Sequence, residues 1–340
     1  MTGHLYAILS DIHSNYQALL AVAQDAQAQA QVEGLPGPRF ACLGDIVDYG
    51  PQPNECMSWV MENVEMALLL RGNHDDDVSK PGWTQPSRVG EGFWPLTLWT
   101  RQVLLLPHHE MLRRLPEERR GQNSLGQFHL YHTWPIGSEI YVREEGTAEP
   151  ALQVLSANGY GLFGHTHRQV MFTIEQSHQA WHRNRWRVIM IQAQSNKPAH
   201  ARPSRRQHTS PVNDWRPIPP LQSLINPGSV GQPRQPNGEA ADYRAQYLLL
   251  DTTADPMRFQ WRRVDYDVEA TVRQYDHVEW PSEDQAPSDA QGQPIVWGDH
   301  DPHPLVTPDG MQLTPEKRVE IQARLTDVKD QLKTQLLAGR

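Results

Sequence analysis

The sequence predicts a layered α/β fold, because short apolar segments alternate with helical segments and with loops that carry charged side chains. Leu5 to Ser10 is predicted as a buried strand, and Tyr16 to Gln31, rich in Ala, Leu and Gln, as a helix. Two further strands, Arg39 to Leu43 and Met66 to Leu70, flank a helix predicted over Asn54 to Glu62. In such folds the groups that bind ligands collect in loops at the carboxyl ends of the strands.

The later half of the chain contains more strand candidates, separated by turns. They span residues 128–132, 159–163, 170–174, 188–192, 223–226 and 247–251. Many short strands with turns between them are typical of antiparallel pairing. We therefore expect a second, more antiparallel sheet in this half of the chain.

Composition suggests where the domain boundaries fall. Residues 1–275 form the main domain, with a helical insertion at 76–127 and a basic insertion, rich in Arg and Trp, at 176–220. The helical insertion is predicted as two helices broken near Pro107, and whether it forms a lid stays open. Residues 276–312 are rich in Pro, Asp and Gly, which is typical of an extended linker.

Residues 313–340 are predicted to form an amphipathic helix. Thr314 supplies a capping hydroxyl, and Pro315 suits the first helical turn. Apolar residues then recur every three or four positions, at Ile321, Leu325, Val328, Leu332 and Leu336. This single apolar stripe packs either on the chain's own body, which is the simpler interpretation, or on a second copy, which would make a homo-oligomer.

Charge and cysteine content exclude several classes of protein. The 340 residues carry a formal net charge of -9, which gives no general attraction to nucleic acid or membrane. The sequence has no run of about eighteen apolar residues, so we expect no membrane span. Cys42 and Cys56 lie in apolar stretches, which favours two buried free thiols in a reducing compartment over a single disulfide. The expected location is the cytoplasm.

Four short segments place oxygen and nitrogen donors directly after predicted strands. They are Asp11-Ile12-His13, Gly44-Asp45, Gly72-Asn73-His74-Asp75 and Gly164-His165-Thr166-His167. Carboxylate, amide and imidazole groups suit cations such as manganese, iron, zinc or nickel. In an extended loop, residues two positions apart project to the same side, so each Asp-x-His or His-x-His pair is expected to face one cation. The glycines would let the backbone turn sharply.

These segments, together with Ser10 to Asn15, resemble the calcineurin-like metallophosphoesterase superfamily, and in particular a bacterial branch of phosphodiesterase type. The resemblance spans roughly residues 5–251. It implies an α/β/β/α sandwich of two mixed sheets flanked by helices, here with a C-terminal helical extension. It also implies two divalent cations, with manganese favoured and iron, zinc, nickel and magnesium as alternatives.

The resemblance further implies seven ligands. Asp11, His13 and His167 would bind one cation, Asn73, His132 and His165 the other, and Asp45 would bridge the two. His132 carries the weakest motif, and His129 is the alternative. Strand alternation and the position of residue 132 at a strand end favour His132.

Catalytic roles follow from the same resemblance, which implies that a metal-bridging hydroxide attacks a phosphate ester. His74 would face the substrate, and Asp48 would orient His74, although a turn-stabilising carboxylate is the alternative for Asp48. Asn15 and Arg234 would border the substrate phosphate, with an ordinary surface arginine as the equally weighted alternative for Arg234.

Two departures from the family pattern narrow the range of expected substrate classes. Tyr49 stands where related protein phosphatases and dinucleotide tetraphosphatases carry arginine, and Asp75 stands where they carry glutamate. Loss of that arginine removes a clamp for a dianionic monoester, which favours a phosphodiesterase over a phosphomonoesterase or protein phosphatase. A non-catalytic metal-binding scaffold is a third hypothesis, which His74 and the complete ligand set disfavour.

A basic stretch from Arg183 to Arg216 is a candidate site for binding nucleic acid. Tryptophans are interleaved with its arginines, a combination that can hold single-stranded nucleic acid through backbone charge and base stacking. Single-stranded nucleic acid or a nucleotide is therefore a candidate partner. A polar hairpin without a binding role is the alternative.

Overall fold

The chain folds into a sandwich of two mixed sheets flanked by helices. A computed structural model of the chain describes residues 3–80, 93–119, 125, 128–133, 141–155, 159–176, 186–194, 208–234, 242–279 and 315–338.

The first sheet has six strands in the order β10-β13-β12-β1-β2-β3. Their bounds are β1 Leu5–Leu9, β2 Arg39–Cys42, β3 Val64–Leu69, β10 Arg216–Pro217, β12 Ala245–Asp251 and β13 Arg258–Val264. At the centre of this sheet, β1 pairs in parallel with β2 and antiparallel with β12. All five residues of β1 are buried, which explains its unbroken apolar sequence.

The second sheet has seven strands in the order β4-β5-β6-β11-β7-β8-β9. Their bounds are β4 Glu118–Arg119, β5 Phe128–Tyr131, β6 Tyr160–Phe163, β7 Gln169–Gln176, β8 Trp186–Gln194, β9 His208–Pro211 and β11 Ser223–Pro227. In this sheet β5, β6 and β11 run parallel to one another, whereas β7 is antiparallel to both β11 and β8. The expected second sheet is therefore present, but it is mixed.

Eight helices surround these sheets in the described part of the chain. They are α1 Tyr16–Val32, α2 Pro53–Asn63, α3 Asn73–Ser79, α4 Trp94–Val103, α5 Leu106–Arg114, α6 Glu145–Val154, α7 Val268–Gln274 and α8 Pro315–Ala338. The residues from Asn73 onward, expected as a loop from the sequence, form α3. The predicted break near Pro107 is found between α4 and α5.

Three apolar cores hold the layers together. One lies between the two sheets and includes Ile8 and Leu250 from the first sheet and Leu130 and Leu162 from the second. The outer face of the first sheet packs on α1 and α2, and the outer face of the second sheet packs on α6. Alternate residues of each strand therefore face different cores, and the order of layers is α/β/β/α.

The C-terminal helix α8 packs on the body of the same chain. Its buried residues Leu325, Val328 and Leu332 contact Trp99 of α4 and Tyr275, which follows α7. Four residues of the predicted stripe, Leu325, Val328, Leu332 and Leu336, are thus buried within the chain, and an oligomer through them would require α8 to leave this position. The predicted linker lies outside the described residues from position 280 to position 314.

The basic insertion falls partly on the second sheet, because β8 and β9 extend that sheet beyond β7. Most of its charged residues lie outside the described part of the chain, namely Arg183, Arg185, Lys197, Arg202, Arg205 and Arg206. Among the helices that the structure describes, none combines the length and apolar character needed to cross a bilayer.

Candidate metal centre

The predicted ligands meet at one edge of the sandwich, where strands of both sheets end. Loops after β1 and β2 bring Asp11, His13 and Asp45 from the first sheet, and α3 follows β3 with Asn73 in its first turn. From the second sheet, the loop after β5 supplies His132, and the loop after β6 supplies two more histidines, His165 and His167. Residues more than 150 positions apart in the chain therefore converge at one place.

The first group of ligands surrounds a buried point. One ligand atom from each of Asp11, His13, Asp45 and His167 lies within 4.8 Å of all the others. The Nε2 atoms of His13 and His167 are 3.2 Å apart, and His167 Nε2 is 3.1 Å from Asp11 Oδ1. We call this set the first position.

The second group shares Asp45 with the first. Ligand atoms of Asp45, His132 and His165 also lie within 4.8 Å of one another. His132 Nε2 is 3.1 Å from Asp45 Oδ2 and 3.2 Å from Asn73 Oδ1. This set, with Asn73, is the second position. It contains His132 and not the alternative His129, which lies beside Tyr131.

The donor atoms fit a metal site and are poorly satisfied without one. His165 Nε2 is buried and has no hydrogen-bond partner, and the buried Asp45 Oδ2 faces two imidazole nitrogens, His132 Nε2 at 3.1 Å and His13 Nε2 at 3.8 Å. The facing Nε2 atoms of His13 and His167 cannot both donate to each other. Burying unpaired polar atoms is costly unless a cation or hydrogen bond compensates, and oxygen and imidazole donors suit divalent cations.

Backbone carbonyls orient three of the four histidines. The Nδ1 atoms of His13, His132 and His167 donate to the carbonyls of Val47, Leu43 and Gln232, at 3.2, 2.9 and 2.6 Å. A hydrogen bond from Nδ1 fixes the ring and leaves the Nε2 lone pair for a cation. These three rings are therefore held in place by peptide groups.

Burial and neighbouring charges act in opposite directions on the titratable groups. Burial alone would raise the pKa of Asp45, but the imidazoles of His132 and His74 outweigh it and hold the pKa well below its usual range. Burial alone would lower the pKa of His132, but Asp45 raises it to about 9. For His165, burial and the neighbouring His132 lower the pKa to about 3, so this ring is neutral and retains a lone pair.

The sequence predicts extended ligand loops, but the loops in the structure are not extended. Eight of their residues have positive φ angles, namely Asp11, His13, Ser14, Asp45, Asp48, Tyr49, His165 and His167. Left-handed backbone at a non-glycine residue costs on the order of 1 kcal/mol and persists where surrounding contacts enforce it. The contacts here include backbone hydrogen bonds from Asp11 and His13 to the carbonyls of Gly44 and Asp45. Left-handed residues at positions 11 and 13, and at 165 and 167, turn the side chains inward.

Of the three glycines predicted to turn the backbone, only Gly44 adopts a φ angle that favours glycine. Gly44 has a φ of 102°. Gly72 has an ordinary φ of -91°, but a Cβ atom there would lie 2.0 Å from Asp45 Oδ1. At Gly164, a Cβ atom would lie 2.0 Å from Ser10 Oγ. These two glycines are required for close approach to the ligand loops and not for turning.

Beside the metal centre, His74 and Asp48 form a hydrogen-bonded pair. His74 Nδ1 donates to Asp48 Oδ2 at 2.8 Å, and the His74 backbone N–H donates to Asp45 Oδ1 at 2.9 Å. Burial alone would lower the pKa of His74, but the carboxylates of Asp45 and Asp48 raise it to about 9. His74 thus lies against Asp45, the carboxylate that both positions share.

Two residues support the site in ways that the sequence does not predict. The hydroxyl of Thr97, on α4, donates to Asp48 Oδ2 at 2.9 Å. No local pattern reveals this contact, because 49 positions separate the two residues. Asp75, noted only as a departure from the family, accepts hydrogen bonds from the backbone N–H groups of Ile46, Val47 and Gly72. It therefore fixes the loop that carries Asp45.

Asn15, predicted to contact substrate, is engaged in structural hydrogen bonds. It is 3% exposed and caps α1 by accepting from the Ala18 backbone N–H. Its amide nitrogen donates to the Gly231 carbonyl, and Thr271 donates to its oxygen. This geometry gives Asn15 the role of tying the Asp11 loop to the loop after β11.

The Asn226–Arg234 segment supports both ligand loops. Asn226 donates to the Gly164 carbonyl, and Ser229 donates to the Asp11 carbonyl. Arg234 donates its backbone N–H to the His167 carbonyl. Its half-buried guanidinium lies within electrostatic reach of Tyr49 and pairs with no carboxylate among the described residues.

Trp215, one of the tryptophans in the basic stretch, is occupied by structural contacts. Its indole N–H donates to Glu33 at 2.8 Å, and the Arg258 guanidinium lies 4.3 Å from the centre of its ring. These contacts cover one face of the ring and satisfy its N–H group.

The two-sheet sandwich has the metallophosphoesterase fold, and a buried Asp/His cluster that fits a metal site lies at its strand ends. Residues 5–169 match the family model described as calcineurin-like phosphoesterase. The chain therefore carries a calcineurin-like phosphoesterase domain, and hydrolysis of phosphate esters is the activity that this family implies. The family resemblance and the sandwich predicted from the sequence are confirmed.

Individual proteins match most of the chain in sequence or in structure. An uncharacterized protein of Methanocaldococcus jannaschii is 27% identical over 273 residues, which is 79% of this chain and 90% of that protein. The crystal structure of a metallophosphoesterase from Sphaerobacter thermophilus matches with a TM-score of 0.59 at 23% identity, and a hypothetical protein from Pyrococcus horikoshii with 0.54 at 15%. Each of these two matches covers 83% of this chain and 96% of the other.

Proposed function

We propose that this protein hydrolyses phosphodiesters of nucleotide or nucleic-acid type with two divalent cations, of which manganese is the favoured one. The observation that carries the proposal is the pair of buried ligand groups sharing Asp45, with His74 directly beside them. Two groups with one common carboxylate suit a pair of cations a few ångströms apart. Cations bound there would activate a water molecule and neutralise charge on the phosphate oxygens.

His74 is the residue that we assign to proton transfer. Its Nδ1 is taken by Asp48, so Nε2 is the nitrogen left to act on substrate. A proton held at Nε2 can pass to the leaving alkoxide or stabilise negative charge on the phosphate. Asp48 keeps the ring in this orientation, and Thr97 in turn holds Asp48.

The surroundings of His74 favour a diester over a monoester. Tyr49 places its ring 4.6 Å from that of His74 and 4.7 Å from that of His13, measured between ring centres. An aromatic ring thus occupies the place from which an arginine would clamp a dianionic phosphate. A diester carries one negative charge less and depends less on such a clamp. Arg234 is the remaining guanidinium near Tyr49 and is our candidate for a phosphate contact.

A comparison of two chromogenic substrates tests the proposal. With manganese supplied, we expect higher kcat/KM for bis-p-nitrophenyl phosphate than for p-nitrophenyl phosphate. The reverse order would make the protein a phosphomonoesterase. No turnover of either ester with manganese, iron, zinc, nickel or magnesium, together with metal-independent partner binding, would indicate a scaffold.

We also propose that the basic stretch from Arg183 to Arg216 contributes to binding of single-stranded nucleic acid. Support comes from its charge and not from Trp215, which is occupied. Changing Arg202, Arg205 and Arg206 to Ala should weaken binding of single-stranded DNA or RNA in an anisotropy titration at low salt, because phosphate contacts are lost. Unchanged affinity would contradict this role.

A further inference from the structure

Next to the second position lies an exposed stack of side chains without an assigned role. The ring of Tyr141 stacks on that of His165, with ring centres 4.2 Å apart and planes inclined by 24°. The guanidinium carbon of Arg143 lies 4.2 Å from the centre of the same Tyr141 ring. Both neighbours are at van der Waals distance and cannot share one face, so Tyr141 is sandwiched between His165 and Arg143.

The backbone around this stack is anchored. Val142, between the two stacking residues, is 3% exposed and packs in the core between the second sheet and α6. The backbone N–H of Arg143 donates to the Thr147 hydroxyl in the first turn of α6. With Val142 directed inward, Tyr141 and Arg143 project to the same outer side. The stack is therefore a built feature and not a chance contact of a long side chain.

The Arg143 guanidinium is available to a ligand. It is exposed, and no carboxylate of the described residues pairs with it, although Glu144 and Glu145 follow directly in the sequence. A guanidinium that lies flat on an aromatic ring keeps its N–H groups directed sideways, in the geometry that matches two phosphate oxygens. Two stacking steps separate it from the His165 ring, a spacing that one nucleotide unit can bridge.

We infer that Tyr141 and Arg143 form a subsite for a second phosphate of the substrate, adjacent to the phosphodiester that is cleaved. This inference rests on the proposed phosphodiesterase activity and refines its substrate class. The preferred substrate would be a dinucleotide or short oligonucleotide with a further phosphate, and not an isolated diester. Because both faces of Tyr141 are covered, a nucleobase cannot take the place of the guanidinium on that ring.

Matched dinucleotides test the subsite. The substrates are TpT and its forms with a 5′ or a 3′ terminal phosphate, with bis-p-nitrophenyl phosphate as a diester that carries no second phosphate. We expect one phosphorylated form to be cleaved with about a ten- to hundred-fold higher kcat/KM than TpT, mainly through KM, since one charge-assisted contact is gained. Arg143→Gln should abolish that preference and leave turnover of bis-p-nitrophenyl phosphate unchanged.

The control variant is Arg114→Gln, which removes an exposed guanidinium that pairs with Glu110 on α5. It should keep the full preference. Calorimetric titration of the same dinucleotides in the presence of a chelator gives a second readout that requires no catalysis, and there too only wild type and the control should favour the phosphorylated form.

Several outcomes would overturn the subsite. Equal kcat/KM and equal affinity for all three dinucleotides in wild type would do so, as would a preference that survives in Arg143→Gln. If the effect of Arg143→Gln on kcat/KM disappears when an abasic dinucleotide is the substrate, Arg143 would be assigned to the base instead. If bis-p-nitrophenyl phosphate is hydrolysed while the dinucleotides are not distinguished, only this inference fails; if no diester is hydrolysed, the proposed function fails.

Discussion

The two positions of the candidate metal centre share Asp45 but are built differently. In the first position, His13 and His167 are both oriented by backbone carbonyls. In the second position, a carbonyl orients His132, but no carbonyl of the described residues accepts a hydrogen bond from the His165 ring, which is stacked on the half-exposed Tyr141 instead. The first position therefore depends on the fold of the main chain, and the second depends in part on one side chain. We expect the second to release its cation more easily.

Removing the shared carboxylate should erase the difference between the positions. Asp45→Asn should lower both cation affinities, because it takes a negative charge from each group. The loss of several kcal/mol of transition-state stabilisation corresponds to about a thousand-fold lower kcat. Manganese content by elemental analysis, measured beside turnover of bis-p-nitrophenyl phosphate, checks this. Two bound manganese ions per chain in the variant would contradict the shared role.

Removing His74 should separate chemistry from metal binding at both positions. His74→Asn should lower kcat for diester hydrolysis by about a hundred- to ten-thousand-fold, the usual contribution of a general acid or base. Both manganese ions should stay bound, since His74 contributes no ligand. A variant that loses manganese together with activity would show that His74 acts through the metals.

Tyr141→Ala should distinguish the two positions. Losing the ring that supports His165 should weaken one of two manganese-binding steps about ten- to a hundred-fold, as is typical when a residue that orients a ligand is removed. The other step should not change. Isothermal titration with manganese resolves the two steps, and Tyr141→Phe, which keeps the stack, is the matched control. Equal weakening of both steps would mean that the positions do not differ in this way.

The smallest effect is expected at Thr97, which touches neither position. Thr97→Val removes one hydrogen bond to Asp48, so kcat should fall about ten-fold while KM and manganese affinity stay unchanged. Thr97→Ser keeps the hydroxyl and should restore kcat. If Ser fails to rescue the rate, the defect lies in the packing of α4 and not in the hydrogen bond.

Much of this architecture could be predicted because its signals are local. An apolar strand followed directly by Asp, Asn or His, repeated along the chain, predicts that ligands lie together at one edge of an α/β sheet. The ligand loops at Asp11, Asp45 and His165 lie at that edge. The position of His132 at a strand end likewise placed it ahead of His129. These inferences need only the alternation of strands and the chemistry of donor atoms.

What could not be predicted depends on contacts between distant segments. Thr97 becomes relevant only when α4 packs beside the loop of Asp48, and Tyr141 only when it meets His165. The apolar stripe of α8 alone does not predict that this helix packs on its own chain, because the stripe could pack on any apolar surface. The backbone conformation of the ligand loops was also missed, because positive φ angles follow from the hydrogen bonds between loops and not from the sequence of either.

The left-handed residues of these loops have a consequence for which amino acids can replace the ligands. Asp, Asn and His tolerate positive φ better than other non-glycine residues, whereas β-branched residues are strongly disfavoured there. At positions 11, 13, 45, 165 and 167, the main chain and the cation therefore select the same few side chains for unrelated reasons. Transplanting this centre into another scaffold would require the shape of the loops as well as the donor atoms, because a scaffold with ordinary loops would aim identical ligands away from each other.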